Sequence, residues 1–178
     1  MDKQTAIKVL TTWDEAGRYV FTRHDLAKLF PDDSAKTLQE AVNRLVKYGW
    51  LRRACRGVYV YALARSMDSH TVERVAVALR RGEYNYISLE SALSEYGAIS
   101  QIPIDRLTVM TTGRKGLYRT PWGTIEFTHT KRAASNILAS VRNVGRPLRL
   151  ATPMAAWRDL KRVGRNTHLV AEEALTDD

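Results

Sequence analysis

The sequence has one cysteine and no long apolar run, and each shortage excludes a class of protein. The single thiol of Cys55 cannot form an internal disulfide, which is typical of a reducing compartment rather than of a disulfide-stabilised secreted domain. No stretch reaches the roughly 18 consecutive apolar residues that a membrane-spanning helix needs. The first residues also lack the apolar core of a signal peptide. We therefore expect a globular protein of the cytoplasm.

Patterns typical of catalytic and metal sites are also missing. The histidines are widely spaced, and none lies in a metal-ligand pattern. The run Gly113-Arg114-Lys115-Gly116 lacks the Ser or Thr that follows the lysine of a P-loop. Ser88, Ser91 and Ser94 have no evident His and Asp partners, and Cys55 lies in a predicted hairpin that offers a nucleophile no pocket. The sequence therefore predicts neither an enzyme nor a bound metal or cofactor.

Basic residues are in excess and are unevenly distributed. The chain has 28 Lys and Arg against 19 Asp and Glu, a net charge of +9, which favours a polyanionic partner. Between Arg106 and Arg165 there are 13 basic residues against only Glu126 and Asp159, whereas the last residues, from Asn166 on, are acidic. Surface charge also keeps proteins soluble. A segment this one-sided nevertheless favours a binding surface.

The N-terminal residues predict two helices with a short strand between them. Residues 4–16 carry a broad apolar stripe with helical spacing, and Gly17 ends it. Residues 19–21 are β-prone. Thr22 offers an N-cap hydroxyl, and Asp25 stands at the third helical position, which is a capping-box pattern. A second helix is therefore expected over residues 23–30.

A third helix and a hairpin follow. Ser34 is the candidate N-cap of a helix that places apolar residues on one face and polar residues on the other. Two β-prone runs, residues 50–54 and 58–62, are joined by Cys55-Arg56-Gly57, where the glycine can take a positive φ. The order helix, strand, helix, helix, hairpin is that of a winged helix-turn-helix, in which the third helix enters the major groove.

Residues 1–65 are thus predicted to be a winged helix-turn-helix that binds double-stranded DNA. Asn and Gln pair well with adenine, Arg pairs with guanine, and Lys, Arg and Thr hold phosphates. A plain helical unit with a solvated polar face, or a protein-docking module, remains an alternative. The candidate DNA-binding residues are Lys36, Thr37, Gln39, Asn43, Arg44, Lys47, Arg52, Arg53 and Arg56.

Residues 66–178 are predicted to form a second, small α+β domain. Helices are expected over residues 71–81, over 89–96 with Ser88 as N-cap, and over 153–163. Gln101-Ile102-Pro103 reads as a turn. Strands are expected over 107–112, 117–120 and 122–130, with residues 113–116 as a hairpin tip. The overall fold class is therefore α+β.

The basic residues of this second domain form a possible extended basic surface. They could lengthen a DNA footprint, contact a protein partner or an RNA, or serve solubility alone. We name the following as candidates: Arg114, Lys115, Arg119, Lys131, Arg132, Arg146 and Arg149.

Several short motifs of the second domain resemble those of a known family. They are Tyr86–Gly97 (YISLESALSEYG), Gln101-Ile102-Pro103, Thr120-Pro121-Trp122-Gly123, and Ala151-Thr152-Pro153 with Asp159-Leu160. In this order the motifs resemble the antitoxins of type IV abortive-infection (AbiE) toxin-antitoxin systems. The resemblance implies an antitoxin that represses its own operon at inverted repeats. It also implies a nucleotidyltransferase-like toxin as the second partner. The resemblance further implies that the antitoxin neutralises this toxin without needing to form a stable complex with it. An alternative is a winged-helix regulator whose second domain senses a ligand or docks a protein or RNA.

Overall fold

The computed structural model describes residues 1–100 and 105–176 and divides the chain into two compact units, Met1–Leu79 and Arg80–Asp178. Each unit combines helices with its own sheet, so the α+β class is confirmed. The predicted turn at Gln101-Ile102-Pro103 lies outside the described residues. Within the described ranges, no helix has both the length and the apolar character that crossing a bilayer requires.

The first unit is built from four helices around a three-stranded antiparallel sheet. The strands lie in the order β1-β3-β2, so the last strand is central. All four residues of that central strand are buried. The elements are α1 (Lys3–Glu15), β1 (Val20–Thr22), α2 (Arg23–Leu29), α3 (Ala35–Lys47), β2 (Leu51–Cys55), β3 (Val58–Tyr61) and α4 (Thr71–Leu79).

The predicted local signals set the element boundaries in this unit. The Asp25 N–H donates to the Thr22 hydroxyl oxygen at 3.0 Å, and the Thr22 N–H donates to the Asp25 carboxylate at 2.8 Å, which completes the predicted capping box. Ser34 accepts from the Thr37 N–H at 3.1 Å and begins α3. Gly57 adopts a φ of +78° in the hairpin, as a tight turn requires.

The first unit extends further along the chain than the 1–65 domain expected from the sequence. The buried Asp14 carboxylate accepts hydrogen bonds from the N–H groups of Arg65, at 2.7 Å, and Ser66, at 3.1 Å. Burial raises the pKa of Asp14, but a bond from the Ser66 hydroxyl together with these two N–H bonds outweighs it and leaves the pKa below its ordinary value. The Tyr19 hydroxyl lies 3.0 Å from the Thr71 hydroxyl at the start of α4. These contacts tie residues 65–79 to the first unit.

The second unit contains a six-stranded mixed sheet. The strand order is β6-β7-β5-β4-β9-β8, with β5 parallel to β7 and β4 parallel to β9. Two short 3-10 turns follow the last helix, at Thr167–Leu169 and Glu172–Ala174. The other elements are β4 (Asn85–Ile87), α5 (Leu89–Glu95), β5 (Arg106–Thr111), β6 (Gly116–Thr120), β7 (Gly123–His129), α6 (Ala134–Leu138), β8 (Val141–Arg142), β9 (Arg149–Ala151) and α7 (Pro153–Val163).

The prediction of a hairpin tip at residues 113–116 was wrong. Strand β6 does not pair with β5; it lies at the edge of the sheet and pairs with β7, whereas β7 lies between them and runs parallel to β5. Residues 112–115 therefore cross the end of β7 to reach the sheet edge. The tight hairpin is instead β6–β7, around Pro121-Trp122. Local β-propensity marks a strand but does not select its neighbour, because pairing depends on distant residues.

A buried polar cluster joins β4 to α7. Asp159 is completely buried, and its Oδ2 accepts from the hydroxyls of Ser88, at 2.8 Å, and Tyr86, at 3.1 Å. Ser88 occupies the predicted N-cap position of α5, yet its side chain makes no cap bond, since it is committed to Asp159. Burial, followed by the charge of Asp159, raises the pKa of Tyr86 far above its ordinary value.

A second buried carboxylate anchors the start of α5. Arg165 donates from Nε to Glu90 at 2.6 Å and from Nη2 at 3.0 Å, and it also pairs with Glu126. Burial raises the pKa of Glu90, but the hydrogen bonds from Arg165 and Asn166 outweigh it, so the pKa lies below its ordinary value. Between Ser88 and Glu90, the fully buried Leu89 adopts a φ of +57°, which is unusual for a residue with a Cβ.

Candidate nucleic-acid interface

The outer face of α3 is exposed and polar. At about 100° per residue, Lys36, Asn43 and Lys47 fall along one line of the helix, opposite the buried Leu38 and Leu45. Thr37, Gln39 and Arg44 flank that line. All six predicted α3 residues therefore lie on the solvent side, and each except the half-buried Gln39 is exposed.

Two amides on this face are joined to each other. The Gln39 Nε2 donates to the Asn43 Oδ1 at 3.0 Å, one helical turn apart. The bond leaves the Gln39 carbonyl oxygen and the Asn43 amino group available to other partners. Thr37 plays a different part, because its hydroxyl lies 2.9 Å from that of Ser34 at the N-cap. The face therefore presents an ordered donor and acceptor pair beside free cations.

The hairpin arginines do not all point the same way. Arg52 pairs with Val60 and Arg53 with Tyr59, and consecutive strand residues face opposite sides of the sheet. Both arginines are exposed, as is Arg56 in the turn. Arg53 shares a face with Tyr61, whose hydroxyl lies 3.1 Å from the Thr11 hydroxyl of α1. A flat surface could thus contact only one strand arginine together with Arg56.

The acidic residues of the first unit are largely committed elsewhere. Asp2 accepts from the Thr5 N–H at 3.0 Å and caps α1, and Asp25 pairs with Arg18 at 3.0 Å. Asp33 lies 2.6 Å from the Met1 amino group, and Asp68 lies 3.1 Å from Arg74. Within residues 1–100 and 105–176, these cations take part in no ion pair: Lys36, Arg44, Lys47, Arg53 and Arg56.

One carboxylate interrupts the basic face of α3. Glu40 is exposed and lies between Lys36 and Arg44, one turn from each. It forms no ion pair with any residue of the described ranges. Its charge opposes an anionic partner at the centre of the surface, so the face is mixed rather than uniformly cationic.

The start of α1 also adjoins this surface, which could not be predicted from the sequence. The Lys3 amino group lies 4.5 Å from the ring centre of Trp50 and 5.3 Å from that of Tyr48, which follows α3 and is 57% exposed. A cavity of about 210 Å³ opens beside them, lined by Asp2 and Arg44 among others. Lys3 and Tyr48 thus extend the candidate surface beyond the predicted residues. Only a tertiary contact could reveal them.

The predicted basic residues of the second unit do not form one patch. Arg146 pairs with Glu95, and Arg132 lies 3.7 Å from the buried Asp159; their side chains are only 20% and 23% exposed. Arg119 lies on the edge strand β6, toward its far end. The exposed residues Arg114, Lys115, Lys131 and Arg149 lie at one end of the sheet.

Strand directions explain why charges gather at that end. Strand β5 is parallel to β7 and antiparallel to β4, so β4 begins where β5 and β7 finish. The segments there are joined directly: Tyr84 and Thr112 exchange two bonds of 3.0 Å, and His129 Nδ1 lies 2.7 Å from the Gly113 carbonyl oxygen. Arg162 of α7 donates to the His129 carbonyl oxygen at 3.1 Å. We call the following exposed residues the basic strand end: Arg81, Tyr84, Arg114, Lys115, His129, Lys131 and Arg162.

Within residues 1–100 and 105–176, no group of three or more His, Cys, Asp or Glu is placed to hold a metal ion. The thiol of Cys55 is half-buried in β2, and burial raises its pKa, which disfavours the reactive thiolate. The candidate surfaces of this chain are accordingly defined by cations, amides and exposed aromatic rings.

No protein-family model and no curated protein matches the chain. Among solved structures, the chain is similar to the crystal structure of the RV2827C protein from Mycobacterium tuberculosis, with a TM-score of 0.57 and 16% sequence identity. The match covers 98% of this chain and 71% of that chain. At so low an identity, the similarity concerns the fold alone.

Proposed function

We propose that the first unit is a winged helix-turn-helix that binds double-stranded operator DNA through α3 and the hairpin β2–β3. The observation that carries the proposal is the exposed outer face of α3, on which Lys36, Arg44 and Lys47 have no ion pair among the described residues. When such side chains bind DNA phosphates, they displace the counterions condensed there, and the release of these counterions favours binding. The helix enters the major groove, and Arg56 at the hairpin turn contacts the adjoining backbone.

We further propose that the chain is an antitoxin of an AbiE-like type IV system and represses its own operon. This part rests on the resemblance of the second-unit motifs. Two of the motif residues, Ser88 and Asp159, are buried and bonded to each other. They therefore act in holding the fold of the second unit rather than in touching a toxin. The proposed toxin is a nucleotidyltransferase-like protein, and the proposed compartment is the cytoplasm.

A gel shift of the full chain on the DNA upstream of its own gene tests the DNA-binding proposal. Asn43→Ala and Arg44→Ala should each weaken binding about tenfold and reduce the preference over a scrambled duplex, because they remove base contacts. Arg56→Ala should weaken both duplexes equally and lower the slope of log K against log salt by about one. Unchanged binding in all three variants would reject the assignment.

Glu40→Gln tests the same surface with a change that should strengthen binding. Removing the carboxylate at the centre of the α3 face should strengthen duplex binding about two- to fivefold, as expected for one exposed charge. Glu15→Gln on α1 is the matched control and should leave affinity unchanged, since Glu15 does not lie on α3. Equal effects of the two variants would point to net charge rather than to a defined surface.

Co-expression with the protein encoded beside this gene tests the antitoxin role. The full chain should restore growth of cells that express a toxic neighbour. The Arg44→Ala and Arg56→Ala double variant should also restore growth if neutralisation does not depend on operator binding. No rescue by the full chain would leave a regulator that docks a protein or senses a ligand through its second unit.

A further inference from the structure

Like the α3 face, beside which Tyr48 is exposed, the basic strand end places an exposed aromatic ring among its cations. Tyr84 is 45% exposed, although its backbone is held by two hydrogen bonds to Thr112. The ring therefore stands on a fixed backbone. An exposed ring on a rigid support offers a stacking surface at low entropic cost.

The cations around Tyr84 are brought together by the fold. Arg114 and Lys115 follow Thr112 in the segment that crosses the end of β7, and Arg80 holds this segment by donating to the Arg114 carbonyl oxygen at 2.8 Å. Lys131 follows the end of β7. Among the described residues, Arg114, Lys115 and Lys131 take part in no ion pair. The carboxylate of Glu83 also lies here, and it accepts from the Thr112 hydroxyl.

We propose that the basic strand end is a binding site for single-stranded nucleic acid. Tyr84 stacks on an unpaired base, and Arg114, Lys115 and Lys131 hold the neighbouring phosphates. Cations beside an aromatic ring are the combination that single strands require, because every base has a face on which a ring can stack. A duplex hides those faces inside its own stack, so Tyr84 would gain nothing from it.

The proposal is independent of the function proposed for the first unit. It uses other residues, another unit of the chain and another form of nucleic acid. RNA and single-stranded DNA share the phosphate and base chemistry that this site recognises, and only RNA carries the 2′-hydroxyl. The test therefore includes both.

Fluorescence anisotropy of labelled 12-nucleotide strands, oligouridylate and oligodeoxythymidylate, with the full chain at low salt is the direct measurement. Tyr84→Ala should weaken binding about tenfold, the loss expected for one stacked base, while Tyr84→Trp should retain it. The Arg114→Ala and Lys115→Ala double variant should reduce the salt dependence by more than one in slope, since each cation replaces counterions at a phosphate. Tighter binding of oligouridylate assigns the site to RNA, tighter binding of oligodeoxythymidylate assigns it to single-stranded DNA, and equal binding shows a site for single strands that does not read the 2′-hydroxyl.

Two control variants separate this site from the first unit. Tyr48→Ala removes the exposed tyrosine beside α3, and Arg44→Ala with Arg56→Ala removes two cations of the duplex surface; both should leave single-strand binding unchanged. Tyr84→Ala should in turn leave duplex binding unchanged. Failure of the wild-type chain to bind either strand, equal binding by Tyr84→Ala, or loss only in the first-unit variants would overturn the proposal. Circular dichroism confirms that each variant is folded.

Discussion

The two candidate surfaces differ in how the chain builds them. The predicted residues of the duplex surface come from a continuous stretch, residues 34–61, in which one helix leads directly into one hairpin, and only Lys3 is added from elsewhere among the described residues. The basic strand end instead collects residues from four separate segments that meet only when β4, β5 and β7 pair. A surface of the first kind needs little more than its own local elements. A surface of the second kind exists only if the whole sheet is assembled.

This difference predicts that substitutions in the core of the second unit abolish single-strand binding and leave duplex binding intact. The buried polar clusters around Asp159 and Glu90 lie far from any exposed cation of the first unit in sequence, and both belong to the second unit. Substitutions in these clusters should therefore affect single-strand binding and leave duplex binding intact. A substitution at the N-cap of a first-unit helix tests the opposite case, in which the first unit is weakened and the second is not.

The largest effect is expected from Asp159→Ala. The change leaves the buried hydroxyls of Tyr86 and Ser88 without their acceptor, and at about 1–3 kcal/mol for each buried unsatisfied group we expect a loss of about 4 kcal/mol. Hydrogen exchange should show lost protection in the second unit, while duplex binding persists. Asp159→Asn, which keeps an acceptor oxygen, is the control and should lose less. Equal loss of protection in both units would mean that they unfold together.

Arg165→Met should have the next largest effect. It leaves the buried Glu90 carboxylate without its main partner at neutral pH, at a cost of about 3 kcal/mol. Because the folded pKa of Glu90 lies below its ordinary 4.5, the stabilisation is complete above that value and is lost as pH falls through the folded pKa. In the variant, burial still raises the pKa of Glu90, while only the bonds from Asn166 and the backbone remain to lower it.

Denaturant unfolding of wild type and Arg165→Met at pH 7 and pH 4 measures how much the Arg165–Glu90 pair stabilises the fold at each pH. The difference in unfolding free energy should shrink at the lower pH, since protonated Glu90 no longer needs the guanidinium. Arg165→Lys, which keeps the charge but not the two-pronged geometry, should fall between them. A difference independent of pH would show that Arg165 acts through packing alone.

The smallest effect is expected from Thr22→Ala. It removes one N-cap bond of α2, which is worth about 1 kcal/mol, and Thr22→Ser should restore most of it. Exchange of the amide protons of α2 should accelerate, while single-strand binding by the second unit stays unchanged. Loss of single-strand binding in this variant would show that the basic strand end depends on the first unit.

These contrasts also explain how much could be predicted from the sequence. In the first unit, Thr22, Ser34 and Gly57 act on residues within a few positions of themselves, and each predicted element is present. Strand β4 and strand β9 were missed, because they are only three residues long and their burial comes from neighbours far along the chain.

For the same reason, the α3 face could be predicted from the sequence, whereas in the basic strand end only the cations Arg114, Lys115 and Lys131 were predicted, without Tyr84 and without the way they are grouped. Periodicity places Lys36, Asn43 and Lys47 on one side of a helix without knowledge of the rest of the fold. No periodicity relates Tyr84 to Lys115 or Arg162. Their proximity follows from the crossing of residues 112–115 over β7, which replaced the hairpin that the turn residues had suggested.

The parallel pairing of β4 with β9 has a consequence for synthesis of the protein. Strand β4 acquires its second neighbour only after Arg149–Ala151 has left the ribosome, whereas the sheet of the first unit is complete once Tyr61 has emerged. The nascent chain therefore exposes an open, apolar strand edge through most of the translation of its second half. During that interval all three strands of the first-unit sheet have already been synthesised and can pair with one another.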